Sequence, residues 1–396
     1  MEKEICQRCD FRETPFSLHG STKWVTVKQI RYAVVGLGHI SQVALLPGFK
    51  NTKNSVLTAL VSDDDKKRKA LAKRYRLAPS STYSYEEYDQ CLKRGDVDAV
   101  YIGLPNHLHC EYTVRAARAG VHVLCEKPMA VNEKECEQMI AACEESGTKL
   151  MIAYRLHFEQ ANLEAIRIAT SGKLGDLRIF SAIFSQQVDE ANVRATEPES
   201  RGGGSLFDMG VYCINAARYL FREEPIEVLA ASANDGEVRF RQAAEMSMAI
   251  LRFPKERLAV FTSSFGALKT SEYTLLGTKG RLRLSPAFDY SVPLAYELAI
   301  GDAKPHRKRF ARHDQFGAEM EYFSDCILRD REPEPSGVEG LADIRIVRAI
   351  LESSAKGKTV RLPAFERHER PNKRLEFKKP PVQKPEVVDA SSPSGR

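Results

Sequence analysis

No stretch of the 396-residue sequence approaches the ~20 consecutive apolar residues that a membrane-spanning helix requires. The opening MEKEICQRCDFRETPF has no apolar core of the kind a secretory signal carries. A soluble, cytoplasmic protein without a membrane partner is expected. Cysteine pairing is lacking as well: nine cysteines, an odd number scattered from Cys6 to Cys326, form no disulfide ladder and fit a reducing compartment. Only Cys6 and Cys9 stand close together, and neither a second Cys-x-x-Cys nor a His-x3–5-His pair accompanies them. A structural zinc site wants four ligands, so free thiols are favoured and no metal is expected.

A concentrated basic surface is also missing, although the net charge is +6. Residues 364–396 hold eight Lys/Arg against five Asp/Glu, a surplus that makes up half of that net charge. With Pro371, Pro380, Pro381, Pro385 and Pro393, this segment reads as an extended or disordered tail rather than a reader of nucleic acid. The rest, 43% hydrophobic and 28% charged, is ordinary globular composition. Its length suits two domains rather than one core.

Residues 1–29 have no clean period and read as an irregular arm. From Arg31 short β-branched runs alternate with longer helical stretches. RYAVVG (31–36), VLTALVS (56–62), DAVYIGL (98–104), VHVLCE (121–126) and KLMIAY (149–154) read as strands. Helices are expected over 39–48, 63–75, His107–Ala119 and Asn132–Ser146. This α/β rhythm predicts a parallel sheet wound on both faces over 30–154. Over 155–363 it changes: helices near 158–172 and 205–221 precede strands at 226–234, 246–253, 258–265 and 272–284, and helices at 314–328 and 338–355 close the fold. Successive strands without crossover helices predict a mostly antiparallel sheet in an α+β domain.

The first strand runs into Gly36-x-Gly38-x-x-Ser41 and then a helix, the dinucleotide fingerprint with serine at its third position. Gly36 permits the tight turn, and Gly38 lets the backbone approach a pyrophosphate seated on the amides around His39 and Ile40. The second strand ends in Ser62, followed by three aspartates and then Lys66-Lys67-Arg68. Ser62 and Lys67 suit the 2′-phosphate of NADP, whereas Asp63 argues for NAD; the acids also suit a helix N-terminus. NADP is favoured, with NAD as the alternative.

Two further motifs carry chemistry. In Glu126-Lys127-Pro128, after the fifth strand, proline stiffens the turn and Lys127 is placed to enter the cleft beyond the strand ends. In Gly202-Gly203-Gly204-Ser205-Leu206-Phe207-Asp208-Met209-Gly210-Val211-Tyr212, the glycines let backbone run close to a ligand, and Asp208 and Tyr212 share a helix face. Ser205-x-x-Asp208 also reads as a capping box.

Together these motifs resemble the Gfo/Idh/MocA oxidoreductases, particularly the glucose-fructose oxidoreductase branch, from about residue 30 to 362. The likeness includes ALVS (59–62), AVYIGLPNHLH (99–109) and MIAYRLH (151–157). It implies a Rossmann domain followed by a large open sheet whose free face joins subunits, as a homodimer or homotetramer. It maps the family's lysine to Lys127, its aspartate to Asp208 and its acid/base to Tyr212. A tyrosine with an ordinary pKa of about 10 is a poor base at neutral pH, and a neighbouring ammonium favours its ionised form. Cofactor contacts are further assigned to Tyr83, Leu104, Pro105, Asn106, His109, Glu126 and Arg155, and substrate contacts to Arg155 and His157 beside the catalytic three. The branch's exported members cover a neighbour's cofactor with a proline-rich N-terminal arm. Here that arm holds only Pro15, so retention of cofactor between turnovers is not expected. The implied activity is hydride transfer between NADP(H) and a carbinol of a sugar or polyol. The alternatives on this scaffold are a glycosidase using transient oxidation and a non-catalytic cofactor sensor.

Overall fold

The computed structural model describes residues 13–18, 21–26, 28–190, 192–367 and 369–392. Cys6 and Cys9 lie outside the described residues. Within the arm expected to be irregular, β1 (Glu13–Leu18) and β2 (Ser21–Thr26) pair as an antiparallel hairpin. Among the described residues no helix is long and apolar enough to cross a membrane.

The first large sheet has six strands: β3 (Ile30–Val35), β4 (Ser55–Val61), β5 (Thr82–Tyr83), β6 (Ala99–Ile102), β7 (His122–Cys125) and β8 (Leu150–Ile152). They lie in the order β5-β4-β3-β6-β7-β8, all parallel. Near-continuous burial of β3 and β6 is what a sheet covered on both faces demands. Because β4 and β6 flank β3, strand order reverses there, and a crevice opens beyond its carboxyl end. The glycine turn occupies that position. Its helix, expected over 39–48, opens as a π-helical turn, Ser41–Leu45, before the α-helical Leu46–Gly48.

The second sheet has nine strands among the described residues, and four of them, at 177–185, 295–300, 306–309 and 360–361, were not foreseen. Leu177–Ser185 (β9) lies mid-sheet, parallel to Arg257–Ser264 (β12) and antiparallel to Thr270–Gly277 (β13). Beyond β12 in the sheet, Met246–Phe253 (β11) and then Glu227–Ala233 (β10) complete the expected run. The segment expected as one strand over 272–284 is two, β13 and Gly280–Leu284 (β14). Ala295–Ile300 (β15), His306–Arg309 (β16) and Val360–Arg361 (β17) add the edges. Inward residues of β11 and β12 alternate with outward ones, and the inner face packs under the helix Val211–Phe221. The outer face leaves Ile179, Ile183, Leu229, Met248, Ile250 and Leu258 exposed on neighbouring strands.

That helix carries a buried ionic knot. Arg218, fully buried, pairs with Glu224 at 2.6 Å, Glu339 at 2.8 Å and Asp343 at 2.6 Å, the last two on the closing helix Gly337–Lys356. Burial raises the Glu339 carboxyl, but Arg218 and Arg367 outweigh it and hold it below the usual range. The C-terminal segment joins the knot: Arg367 reaches Glu339 at 2.7 Å and Arg370 reaches Glu224 at 2.7 Å. Residues 364–392 form no strand and only one short helical turn, Lys373–Leu375, among the described residues, as an extended tail should. They are packed against the body rather than disordered. Arg218→Met removes the central cation: Asp343 is left buried without one, while Glu339 and Glu224 keep only Arg367 and Arg370. Denaturant titration is expected to show a loss of about 3–5 kcal/mol.

Candidate active site

A cleft of about 800 Å³ opens at the end of β3, bounded by the glycine turn, the turn after β7, the helix that carries Asp208 and Tyr212, and part of the C-terminal tail. Gly36 has φ +89°, and a Cβ there would lie 2.5 Å from the Gly103 carbonyl oxygen. Only glycine allows that approach between neighbouring strand ends. Ser41 donates to the Gly36 carbonyl at 2.7 Å, so the serine in the third position ties the turn to its helix. At Gly38 a Cβ would meet nothing within 4 Å; the residue faces open cleft. Beside it His39 Nδ1 is buried without a partner. This open cradle of backbone fits the pyrophosphate of a dinucleotide.

At the far end of β4, Ser62 and Lys67 line the cleft. The aspartates that follow are engaged elsewhere. Asp63 accepts from the Tyr85 amide at 2.7 Å, and Asp64 caps the helix Asp65–Tyr75 through the Lys67 amide at 2.8 Å. Asp65 pairs with Lys69 at 2.6 Å. Asp64 also meets the Lys67 ammonium at 3.4 Å, so this end presents the Ser62 hydroxyl and a cation paired within its own loop, and a 2′-phosphate here would share Lys67 with Asp64.

At the other end, Lys127 is buried in the turn after β7. Its Nζ donates to the Asp208 carbonyl at 2.9 Å and carboxylate at 3.2 Å, and stands 4.7 Å from the centre of the Tyr212 ring. Burial raises the Asp208 carboxyl, but Lys127 and Arg194, the latter 3.6 Å away, outweigh it and hold it low. Arg155, also buried, donates to Gln315 and to the Phe288 carbonyl at 2.6 Å each, and its guanidinium lies 5.0 Å from the Tyr212 ring and 5.3 Å from that of Tyr290. Asp208 belongs to a second π-helical turn, Leu206–Gly210, ahead of Val211–Phe221. A capping box is not formed: Ser205 bonds to Ser263 instead, and the Asp208 carboxylate serves the two cations.

Residues 30–154 match the family model described as an oxidoreductase family with an NAD-binding Rossmann fold, and residues 163–283 match the Gfo/Idh/MocA C-terminal domain. The chain belongs to the Gfo/Idh/MocA oxidoreductases. It is similar to the D-xylose 1-dehydrogenase [NADP(+)] of Haloarcula marismortui, 32% identical over 85% of this chain and 94% of that one. It is also similar to the solved aldose-aldose oxidoreductase of Caulobacter crescentus, with TM-score 0.81 and 38% identity over 85% of this chain and all of that one. A 3-ketoreductase of Actinomadura kijaniata, solved with TDP-benzene and NADP, superposes with TM-score 0.73 at 26% identity over 82% of this chain and 98% of that one.

In this member of the family the cleft gathers Gly36, Gly38, His39, Ile40, Ser62, Lys67, Leu104, Pro105, Glu126, Lys127, Arg155, Asp208 and Tyr212. Four expected residues stand outside it. Tyr83 donates to the Ser80 carbonyl, and the tyrosine lining the cleft is Tyr85. Asn106 is buried against the Gly202 carbonyl and Arg194. His109 is enclosed between the carbonyls of Leu104 and Pro128, where burial lowers its pKa to about 4. His157 is buried between Glu334 and Asn215 and touches no cleft atom. The Gly202–Gly204 run packs against protein, since a Cβ at Gly203 would lie 2.0 Å from the Glu197 carbonyl oxygen. Arg194, Tyr290 and Gln315 line the cleft without having been singled out, because they sit in or beside irregular loops that no motif marks.

Gly38→Ala is expected to leave stability within about 0.5 kcal/mol, there being room for the methyl, yet to weaken nicotinamide-dinucleotide binding at least tenfold, read by NADPH fluorescence. Gly36→Ala should instead destabilise the fold itself by more than about 1 kcal/mol.

Proposed function

We propose that this oxidoreductase is NADP(H)-dependent and works between the carbinol and carbonyl states of a sugar or polyol, with residues 30–154 binding the dinucleotide and residues 155–363 the substrate and partner copies. The observation that carries this reading is the contact of Lys127 with both the Asp208 carboxylate and the Tyr212 ring at the nicotinamide end of the cleft. The bound nicotinamide supplies or takes up the hydride. As phenolate, Tyr212 accepts the hydroxyl proton during oxidation and becomes the phenol; as phenol it returns that proton during reduction and becomes the phenolate. Positive charge from Lys127 and Arg155 beside the phenol complements the oxyanion formed as that proton moves. Lys127 polarises the substrate oxygen, and Asp208 holds Lys127 while offering a carboxylate oxygen to a neighbouring hydroxyl. Ser62 and Lys67 on the cleft wall, with Asp63 and Asp65 engaged elsewhere, support the choice of NADP. The xylose dehydrogenase and the aldose-aldose oxidoreductase, as relatives, support a sugar substrate.

The test is to denature purified protein, identify any nicotinamide released, and screen aldoses and polyols for reduction of NADP and NAD. No reduction with either cofactor across these substrates would overturn the proposal. Tyr212→Phe is expected to lower kcat ~100-fold or more while NADPH binding persists; unchanged turnover would remove Tyr212 from the mechanism.

The exposed apolar face of the nine-stranded sheet supports a homodimer or homotetramer formed through it. The seven cysteines among the described residues are buried and unpaired, in keeping with a cytoplasmic site of action. Ile250, 42% exposed at the centre of that face, is the residue to change. In light scattering, Ile250→Glu should shift the assembly toward monomer with secondary structure intact, and a wild-type protein that is monomeric would refute the interface.

A further inference from the structure

The C-terminal segment beyond the closing helix lies past both family matches, which end at residue 283. Its course is set by bonds to the dinucleotide-binding half of the molecule and to Arg312 of the other half. Asn51 donates to the Pro380 carbonyl and Arg312 to that of Val382, each at 2.8 Å. Arg74 holds the Glu386 carbonyl at 2.7 Å. Gln42, fully buried in the helix of the glycine turn, bonds Val388 twice: its Nε2 donates to the carbonyl at 2.9 Å and its Oε1 accepts from the amide at 2.8 Å. Lys66 pairs with Asp389 at 3.2 Å. A loosely adhering tail has no need of a paired amide bond to a buried glutamine.

These bonds carry the segment along one edge of the cleft. Val382, Lys384, Ser391 and Ser392 line the same space as Gly36, Gly38 and His39. Lys384 is close enough that its charge, after burial, helps lower the His39 pKa. Pro380, Pro381 and Pro385 stiffen the approach, so holding it extended costs less conformational entropy than it would for a free chain.

We propose that residues 380–392 are part of the dinucleotide site: Lys384 pairs with a cofactor phosphate, the hydroxyls of Ser391 and Ser392 face the same end, and the segment must lift for the cofactor to exchange. This rests on the reading of the cleft as a nicotinamide-dinucleotide site. It also alters the expectation drawn from the short N-terminal arm: the cofactor is retained, and the opposite end of the same chain retains it.

The probe is NADPH, with binding followed by its fluorescence and release by stopped-flow displacement with excess NADP. Full-length protein is compared with a chain ending at Lys379, which keeps the Arg367, Arg370 and Lys379 ion pairs, and with full-length Lys384→Glu and Lys384→Arg. The shortened chain is expected to release NADPH at least tenfold faster. Lys384→Glu should raise the Kd at least fivefold and Lys384→Arg less than twofold. Release and Kd within twofold of full length in both the shortened chain and Lys384→Glu would overturn the proposal while leaving the cleft's assignment standing. If the shortened chain does not fold, as judged by circular dichroism, the Lys384 pair decides by the same limits. Full-length protein that binds neither NADPH nor NADH would bring down the cleft's assignment and this inference together.

Discussion

An ammonium withdrawn from water must find an anion, and Lys127 finds it 81 residues away in Asp208. That demand fixes how the two halves of the molecule meet. Lys127 is held by a turn at the end of the parallel sheet; Asp208 is held by a π-helical turn ahead of the helix that packs on the nine-stranded sheet. The 3.2 Å ion pair between them ties the two sheets together at the cleft. Arg194 adds a second cation to the same carboxylate, and with Lys127 it holds the Asp208 carboxyl below its usual range against the upward pull of burial.

The cleft built around that bond is polarised. Cations stand at both ends and aromatic rings at the Lys127 end, where Tyr212 packs against Phe184 and Phe288 and beside Lys127 and Arg155. Rings exclude water, and with less water the field of each cation reaches further. The carboxylates present are largely committed: Glu126 accepts from Tyr101 at 2.7 Å and Asp289 from Lys269 at 2.9 Å. The cleft thereby offers positive charge to whatever enters it.

Much of this was legible in the sequence because the signals are local. A β-branched run ending in Gly36 must be buried strand followed by a tight turn, and no tertiary partner changes that. Lys127, Asp208 and Tyr212 were found as parts of contiguous motifs. What was missed depends on pairing across the chain. Leu177–Ser185 was passed over beside stronger helical patterns, and only its two neighbours in the sheet make it a central strand. Tyr83 and Tyr85 flank one turn, and the side chain that faces the cleft is settled by where β5 ends after two residues. His157 looked like a cleft residue by its place after β8, yet Glu334, 177 residues later, claims its ring. The tail's composition pointed to extended or disordered chain, and what its pattern does not carry are the partners far back in the chain, Gln42, Asn51 and Arg74, that its backbone meets.

Both helices that feed the cleft begin with a π-helical turn, Ser41–Leu45 and Leu206–Gly210. A π turn widens the coil and offsets the following helix from the residue that starts it. At the first, the Gln42 side chain bonds the Leu37 carbonyl and the backbone of Val388. At the second, Lys127 donates to the Asp208 carbonyl from outside the helix, and the same ammonium holds the carboxylate. In each case a side chain ties the turn to a segment remote in sequence, and both ties close on the one cleft.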